Sequence, residues 1–272
     1  MKNKLKALSA CLIILFFPSC EKVIQIDLNS ADPKIVIEGN ITDQTGPYFI
    51  NLTQTVNYDQ SNIFPPVTGA TVKISDNAGT TESLTETSPG IYATTTIIGV
   101  PGRIYTLEVN ANGKIYTTTS SMPFPVNIDT LTIETSGGGG FGGGGNTTKN
   151  VSITYTDPAG IPNYYRFVLF VPGIKQSPII VNDDNLRDGQ TITRPVRLDN
   201  SGPALKNGDL VTIQMQSIDG NVFEYLRTLS QLSGGNALTG SSAPANPKTN
   251  ITGGALGYFS AYSVRTKSVI IF

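Results

Sequence analysis

The sequence has 272 residues, with 28 Gly, 17 Pro, 2 Cys, no His, no Trp and only 14% charged residues. This length is sufficient to bury a substantial core, and a content of 39% hydrophobic residues argues against wholesale disorder. The lack of histidine excludes Ser-His-Asp and Cys-His catalysis, His-ligated zinc and the usual proton transfer near neutral pH.

The N-terminus has the features of a secretory signal peptide over residues 1–19. Lys2, Lys4 and Lys6 form a positively charged start, and residues 7–17 form an apolar run interrupted only by Ser9. This run is too short to span a bilayer as a helix, which takes about 20 residues, but it fits the core of a signal peptide.

The end of this segment, Phe17-Pro18-Ser19-Cys20, resembles the lipobox of bacterial lipoproteins. That resemblance implies cleavage before Cys20 and acylation of this residue, which becomes the lipid anchor of the mature protein. Phe17 and Pro18 replace the Leu and the small residue that are usual there. An ordinary cleaved signal peptide with an incidental cysteine, or an uncleaved anchor, remains an alternative.

Removal of residues 1–19 changes the charge and the thiol content of the chain. Cys11 is lost and Cys20 is lipidated, so the mature chain has no disulfide, thiolate metal ligand or cysteine nucleophile. Of the 19 basic residues, three lysines leave, and the remaining 16 against 20 acidic residues give a formal charge of −4. An acidic chain without basic clusters is not expected to bind nucleic acid.

The first half of the mature chain consists of short runs rich in Val, Ile, Thr and Tyr, separated by turn residues, which predict β-strands. Asn112-Gly113 between two such runs is a strong hairpin signal. Strands at this spacing predict a β-sandwich domain over residues 20–135. The predicted strands cover residues 34–41, 48–56, 70–75, 91–97, 103–109, 114–119 and 126–134.

Residues 136–146 read SGGGGFGGGGN. Glycine this dense disfavours both helix and strand, which predicts a flexible interdomain linker or the tip of a long hairpin. The segment lacks the Gly-Lys-Ser/Thr ending of a phosphate-binding loop.

The second half is predicted to be a β-sandwich with one packed α-helix over residues 147–272, so the fold class is mainly β. Val222, Leu226 and Leu229 form one stripe of a helix over residues 221–233, with Asp219 or Asn221 as its cap and glycines 234 and 235 as its end. The predicted strands cover residues 150–156, 164–171, 179–181, 191–198, 209–218, 255–264 and 268–272.

The sequence resembles two groups of known proteins. Residues 66–116, with PVTGATVKISDNAG and PGRIYTLEVNANGKIY, resemble immunoglobulin-like or carboxypeptidase-regulatory-like sandwiches of bacterial surface proteins. This resemblance implies that the domain over residues 20–135 is an immunoglobulin-like β-sandwich. The chain from Cys20 onward resembles a Bacteroidota lipoprotein family named as a domain of unknown function (4249), most specifically in NITGGALGYFSAYSV from Asn250. This resemblance implies a lipoprotein often encoded beside TonB-dependent outer-membrane transporters, and it transfers no catalytic residues.

The densest acidic segment contains Asp183, Asp184 and Asp188. Their oxygen atoms make a weak candidate site for Ca²⁺, but the EF-hand spacing fails because Leu186 would stand at a ligand position. We expect a solvated turn and no cofactor other than the acyl lipid on Cys20.

Tyr258 and Phe259, in the glycine-rich tail, are candidates for contact with a ligand or partner, because aromatic residues dominate such contacts. The alternative is that Tyr258, Phe259 and Tyr262 pack the final strand against the predicted helix, and we favour this structural role.

These observations predict a non-enzymatic binding or accessory module that is lipid-anchored at the outer membrane and assists a TonB-dependent transporter in nutrient uptake. A structural or adhesive envelope protein is the alternative, and a carboxylate-based hydrolase is the third possibility. The leaflet stays open, because Glu21 is followed by Lys22 rather than by further acidic residues.

Overall fold

The computed structural model describes residues 32–57, 60–136, 148–196, 205–233 and 246–272. These residues form β-strands with a single α-helix, which confirms the predicted mainly β class. Within these ranges, no helix combines the length and the apolar character that a membrane crossing requires. The elements are β1 Ile35–Thr42, β2 Phe49–Gln54, β3 Thr71–Asp76, β4 Thr81–Ser83, β5 Thr85–Ser88, β6 Ile91–Ala93, β7 Ile104–Ala111, β8 Lys114–Ser121, β9 Thr130–Ser136, β10 Thr148–Thr156, β11 Tyr164–Val171, β12 Ile174–Lys175, β13 Ile180–Asp183, β14 Thr191–Val196, β15 Leu210–Ile218, α1 Gly220–Ser233 and β16 Leu256–Ile270.

The first core lies between two sheets. Strands β5, β6, β2, β1 and the first half of β16 form one layer, and β4, β3, β7 and β8 form the other. Alternate residues of each strand point inward, so Ile37 and Leu52 meet Ile74 and Leu107 in one buried cluster. Each of these side chains stabilises the fold by about 1.5–3 kcal/mol through its removal from water.

The Asn-Gly hairpin prediction is confirmed. Asn112 and Gly113 join β7 to β8, and the flanking residues Ala111 and Lys114 are directly paired. Both turn residues have positive φ, 53° for Asn112 and 74° for Gly113. This is the backbone that a two-residue turn between right-twisted strands requires, and Asn and Gly adopt it at the lowest cost.

The second core lies between the sheet β14-β10-β9 and the layer formed by β11, β15 and the second half of β16. Tyr155 of β10 packs against Tyr165 and Phe167 of β11, with ring centroids 5.0 Å and 5.8 Å apart. Helix α1 covers the opposite face of this layer with Val222 and Leu226. Strand β11 is therefore covered on both faces, which explains why YYRFVLFV is apolar along almost its whole length.

The last strand, β16, belongs to both cores. Leu256 to Tyr262 pair with β1 in parallel, and Ser263 to Ile270 pair with β15 in antiparallel orientation. At the changeover, Asp43 accepts hydrogen bonds from the Val264 N–H at 2.9 Å and from Arg265 at 2.7 Å. The two runs predicted at residues 255–264 and 268–272 are therefore one strand, which makes a single sheet continuous through both cores.

The division between the cores does not coincide with the glycine-rich segment. Apart from Ser136, residues 136–146 lie outside the described residues, but Ser136 and Thr148 on either side are directly paired in the β9–β10 ladder. Val126, Ile128 and Leu131 pack in the second core. The segment therefore connects neighbouring strands of one sheet, and the predicted boundary at residue 135 cuts through the second core.

Three strands were not predicted, namely β4, β5 and β12. Each is short and presents mostly exposed or half-buried side chains, so no apolar alternation marks it in the sequence. The helix begins at Gly220, one residue before the predicted start, and Asp219 is its cap.

A carboxylate on the short strand β4 holds the loop after β6. Glu82 accepts hydrogen bonds from the backbone N–H groups of Thr95, Thr96 and Ile97 and from both threonine hydroxyls. Partial burial raises the pKa of Glu82, but these hydrogen bonds outweigh burial and lower it from 4.5 to about 2. The ionised carboxylate therefore contributes stability above pH 4.5 that is lost as the pH falls towards 2.

We expect Glu82→Gln to lower the free energy of unfolding at pH 7 by about 1–2 kcal/mol, because solvent screening reduces the effect of the shift. The loss should shrink as the pH falls from 5 to about 2. Urea unfolding across this pH range measures it. Glu108→Gln is the control, because Glu108 forms only a half-exposed pair with Lys73 at 3.3 Å. A loss that is equal at all pH values would contradict the assignment.

Candidate functional site

The structure brings together two of the three predicted acidic residues and adds a third from another loop. Carboxylate oxygens of Asp157, Asp184 and Asp188 all lie within 4.8 Å of one another. Asp157 and Asp184 are buried, whereas Asp188 is exposed. Asp183 is not part of this cluster, and its carboxylate accepts a hydrogen bond from Asn185. Asp157 was missed because it stands more than twenty residues before the acidic segment, alone in an otherwise neutral loop.

Hydrogen bonds from the protein give the three carboxylates a structural role. They tie the loop at residues 157–163 to the turn at residues 184–189. The donors are the Tyr165 hydroxyl at 2.5 Å and the Gly189 N–H at 3.2 Å for Asp157, the Asn163 N–H at 2.9 Å for Asp184, and the Gly160 N–H at 2.8 Å for Asp188. Three carboxylates also offer oxygen ligands of the kind that Ca²⁺ takes, but the sequence favoured no metal here, and this expectation is untested.

Two phenols beside this cluster are protonated at neutral pH. Burial raises the pKa of Tyr155 to about 12. Burial and the hydrogen bond to Asp157 also raise the pKa of Tyr165. Near pH 7 neither hydroxyl therefore serves as a phenolate base, and the Tyr165 hydroxyl donates its proton to the hydrogen bond with Asp157.

Tyr258 and Phe259 point to opposite faces of β16, as adjacent residues of a strand do. Phe259 is 0% exposed in the first core, so its side chain does not reach a ligand on the surface. Tyr258 is half-buried, and its ring stacks on Tyr225 of α1 at 4.7 Å between centroids. Tyr258 and Tyr262 both pack against the helix, which agrees with the structural role for these two residues.

Polar residues at and just before the start of NITGGALGYFSAYSV also hold β16 in place. Asn250 donates to the Phe259 carbonyl at 2.8 Å and accepts from the Phe259 N–H at 3.2 Å. Thr249 donates to the Gly257 carbonyl at 2.7 Å. Because β15 pairs with β16 only from Ser263 onward, Asn250 and Thr249 satisfy backbone groups before that point. The segment NITGGALGYFSAYSV, in which the family resemblance is most specific, therefore fixes the position of β16.

The exposed part of Tyr258 lies between two adjoining concavities on the outer face of the large sheet, and Glu38 lines both. The first, the strand groove, has a volume of about 300 Å³ and lies over β1 and β2. The second, the helix cleft, has a volume of about 250 Å³ and lies beside α1.

The strand groove combines polar side chains with an exposed aromatic ring. Glu38, Asn40 and Asn51 line it, and Phe49 is 46% exposed at its side. The carboxylate accepts hydrogen bonds and the amides both donate and accept them, while the aromatic rings provide apolar contact. This surface is therefore suited to bind a partly polar ligand.

The helix cleft contains two cations, Arg166 and Lys175, beside apolar residues of α1. Partial burial lowers the pKa of Lys175, and the charge of Arg166 lowers it further. Neither cation forms an ion pair with the residues that the structure describes. The sequence gives no signal for this pair, because the two residues stand on different strands and are brought together by the turn between β11 and β12.

Cys20 and the signal segment lie outside the described residues. Residues 21–268 match the sequence model of a family described as "Domain of unknown function (DUF4249)". The chain matches no curated protein.

Proposed function

The chain belongs to the DUF4249 family, and from this membership we propose that it is a lipid-anchored outer-membrane protein that binds a ligand or partner without catalysing a reaction. The likeness to Bacteroidota lipoproteins supports the membrane location, and the signal segment before Cys20 supports the anchor. The acyl chains hold the protein on the membrane by burying CH₂ groups, at about 0.8 kcal/mol each.

The observation that carries the binding role is the pair of concavities on either side of Tyr258. Residues of β1, β2, β11 and α1 line most of their surface, and residues 176–179 complete the helix cleft. Regular elements keep a recognition surface in one shape. The sequence supports a non-catalytic role, because it has no histidine and the mature chain has no free cysteine.

We place this binding function beside a TonB-dependent transporter, in nutrient uptake, on the basis of the family resemblance. A structural or adhesive envelope protein is the alternative. Purification of the tagged full-length protein from detergent-solubilised outer membranes distinguishes the two. Recovery of a transporter, with reduced uptake of a nutrient in a deletion strain, supports the proposal. Recovery of no transporter, together with normal uptake, contradicts it.

The anchor makes a separate prediction. We expect Cys20→Ala to remove the acylation site and to reduce the membrane-bound fraction after a carbonate wash by at least about tenfold. Cys11→Ala is the matched control, because Cys11 leaves with the signal peptide and its loss should not change membrane binding. Globomycin should block processing of the wild type and of Cys11→Ala. A wild type that fractionates as a soluble protein would contradict the anchor.

A further inference from the structure

The helix cleft takes one cation from β11 and one from β12. Tyr165 and Phe167 point into the second core, so Arg166 and Val168 point to the face covered by α1. Lys175 on β12 pairs with Phe170, which places it on the same face as Arg166. Two cations from neighbouring strands therefore point into one concavity.

The charge of these cations is not balanced within the described part of the cleft. Arg166 and Lys175 have no ion-pair partner there, and each repels the other. Glu38 is the acidic residue of the lining, and it does not form an ion pair with either of them. Arg166 is half-buried, and a half-buried cation without a partner carries a desolvation cost. An anion between Arg166 and Lys175 would remove their repulsion and offset this cost.

Most of the remaining lining is apolar, and Gln176 and Ser177 add polar groups. Leu226 and Leu229 come from α1, and Pro178 and Ile179 come from the segment before β13. The volume of about 250 Å³ corresponds to about eight water molecules of about 30 Å³ each. The cleft thus has room for an aliphatic group of similar size next to the two cations.

We propose that the helix cleft binds an oxyanion joined to an apolar group, with Arg166 and Lys175 holding the oxyanion and Leu226, Leu229 and Ile179 contacting the apolar part. Both a carboxylate and a phosphate fit a guanidinium beside an ammonium. This inference rests on the proposed binding function and adds the ligand class to it.

Isothermal titration calorimetry of the protein with octanoate tests the proposal. Octan-1-ol provides the same chain without the charge, acetate provides the charge without the chain, and octyl phosphate replaces the carboxylate. We expect octanoate or octyl phosphate to bind more tightly than both octan-1-ol and acetate by at least about tenfold. The tighter of the two oxyanions identifies the headgroup.

Substitution of each charged residue in the lining measures its separate contribution to binding. Arg166→Gln and Lys175→Gln should each weaken binding by about tenfold, since each removes one charged contact. Glu38→Gln should strengthen it, because a negative charge in the lining is removed. Lys206→Gln, at an exposed lysine outside the cleft, is the control and should leave binding unchanged. Lys175 is exposed on a two-residue strand, so its variant keeps the test valid even if Arg166→Gln fails to fold.

Equal binding of octanoate and octan-1-ol, or binding that neither cation substitution changes, would overturn the ligand class. A transporter that still co-purifies with the Arg166→Gln/Lys175→Gln double variant, while octanoate and octyl phosphate show no binding to the wild type, would reject this inference alone. If no transporter co-purifies with the wild-type protein, that result counts instead against the proposed function.

Discussion

Gly257→Ala should lower the free energy of unfolding by at least about 4 kcal/mol, a loss that leaves little or no folded protein. Gly257 has φ of +90°, which alanine rarely adopts. An added Cβ atom would also stand 2.1 Å from the Ile37 carbonyl oxygen and 2.9 Å from its carbon. Both atoms belong to the backbone of β1, so relief requires that β1 and β16 separate.

The position of this clash explains the size of the effect. Gly257 pairs with Ile37 in the parallel ladder that joins β16 to the first core. Separation of the two strands would expose Phe259 and Ala261, which are buried in that core. The local steric conflict therefore disrupts the pairing on which the continuous sheet depends.

Gly254→Ala is the matched control for this prediction. Gly254 has φ of +82°, but an added Cβ would have only the flexible end of Lys114 nearby, at 3.9 Å. We expect this variant to lose only about 1–2 kcal/mol, the cost of the left-handed backbone for a residue with a Cβ. Chemical unfolding followed by circular dichroism compares both variants with the wild type. Equal losses would show that backbone strain, and not contact with β1, dominates at Gly257.

Local patterns in the sequence were sufficient for most individual elements. The strands predicted over residues 103–109 and 114–119 and the Asn112-Gly113 turn between them depend only on neighbouring residues, and the structure contains the corresponding hairpin. The helix stripe of Val222, Leu226 and Leu229 packs as predicted, because helical spacing alone puts these side chains on one face.

Pairing between distant segments was beyond the reach of these patterns. Nothing local in Leu256 to Tyr262 shows that this segment pairs with β1, more than two hundred residues earlier in the chain. The segment was therefore assigned to the second half, although Phe259 packs in the first core. The boundary at residue 135 failed for a similar reason, because glycine content shows that a segment is irregular but not which strands it connects.

The candidate site residues also differ in how far the sequence alone could identify them. Tyr258, an aromatic residue in the glycine-rich tail, was a candidate contact residue for which a structural role was favoured, and its ring both packs against α1 and lines the two concavities. Phe259 has the same local signal but points into the core, since a strand alternates its faces. Arg166 and Lys175 become neighbours only when β12 folds back on β11, so the helix cleft could not be found without the structure.

Asp219 joins the helix to both sheets of the first core, and its replacement should have the second largest effect. Its Oδ1 accepts hydrogen bonds from the N–H groups of Asn221 and Val222, both at 2.9 Å, which caps α1. Its Oδ2 accepts a hydrogen bond from the Ser120 hydroxyl of β8. Ser120 in turn accepts the Ala261 N–H of β16 at 2.8 Å.

Asp219→Ala should therefore lower the free energy of unfolding by about 2–4 kcal/mol, the combined cost of a lost cap and of a buried hydroxyl left without its acceptor. Asp219→Asn is the matched variant, because its amide oxygen still caps the helix. It should remain within about 1 kcal/mol of the wild type at pH 7. Urea unfolding of the three proteins measures both differences, and equal losses in the two variants would contradict the capping role.

The pH dependence provides a second test of the same residue. Burial raises the pKa of Asp219 above 3.8, and the hydrogen bonds from Ser120, Val222 and Asn221 only partly offset this effect. The folded protein therefore binds this proton more tightly than the unfolded chain does. The resulting stability is fully present below pH 3.8 and is lost as the pH rises through the pKa of the folded state. Because asparagine does not ionise, Asp219→Asn should become more stable relative to the wild type as the pH rises through this range. A difference between the two proteins that stays constant with pH would show that the carboxylate ionises as readily in the folded protein as in the unfolded chain.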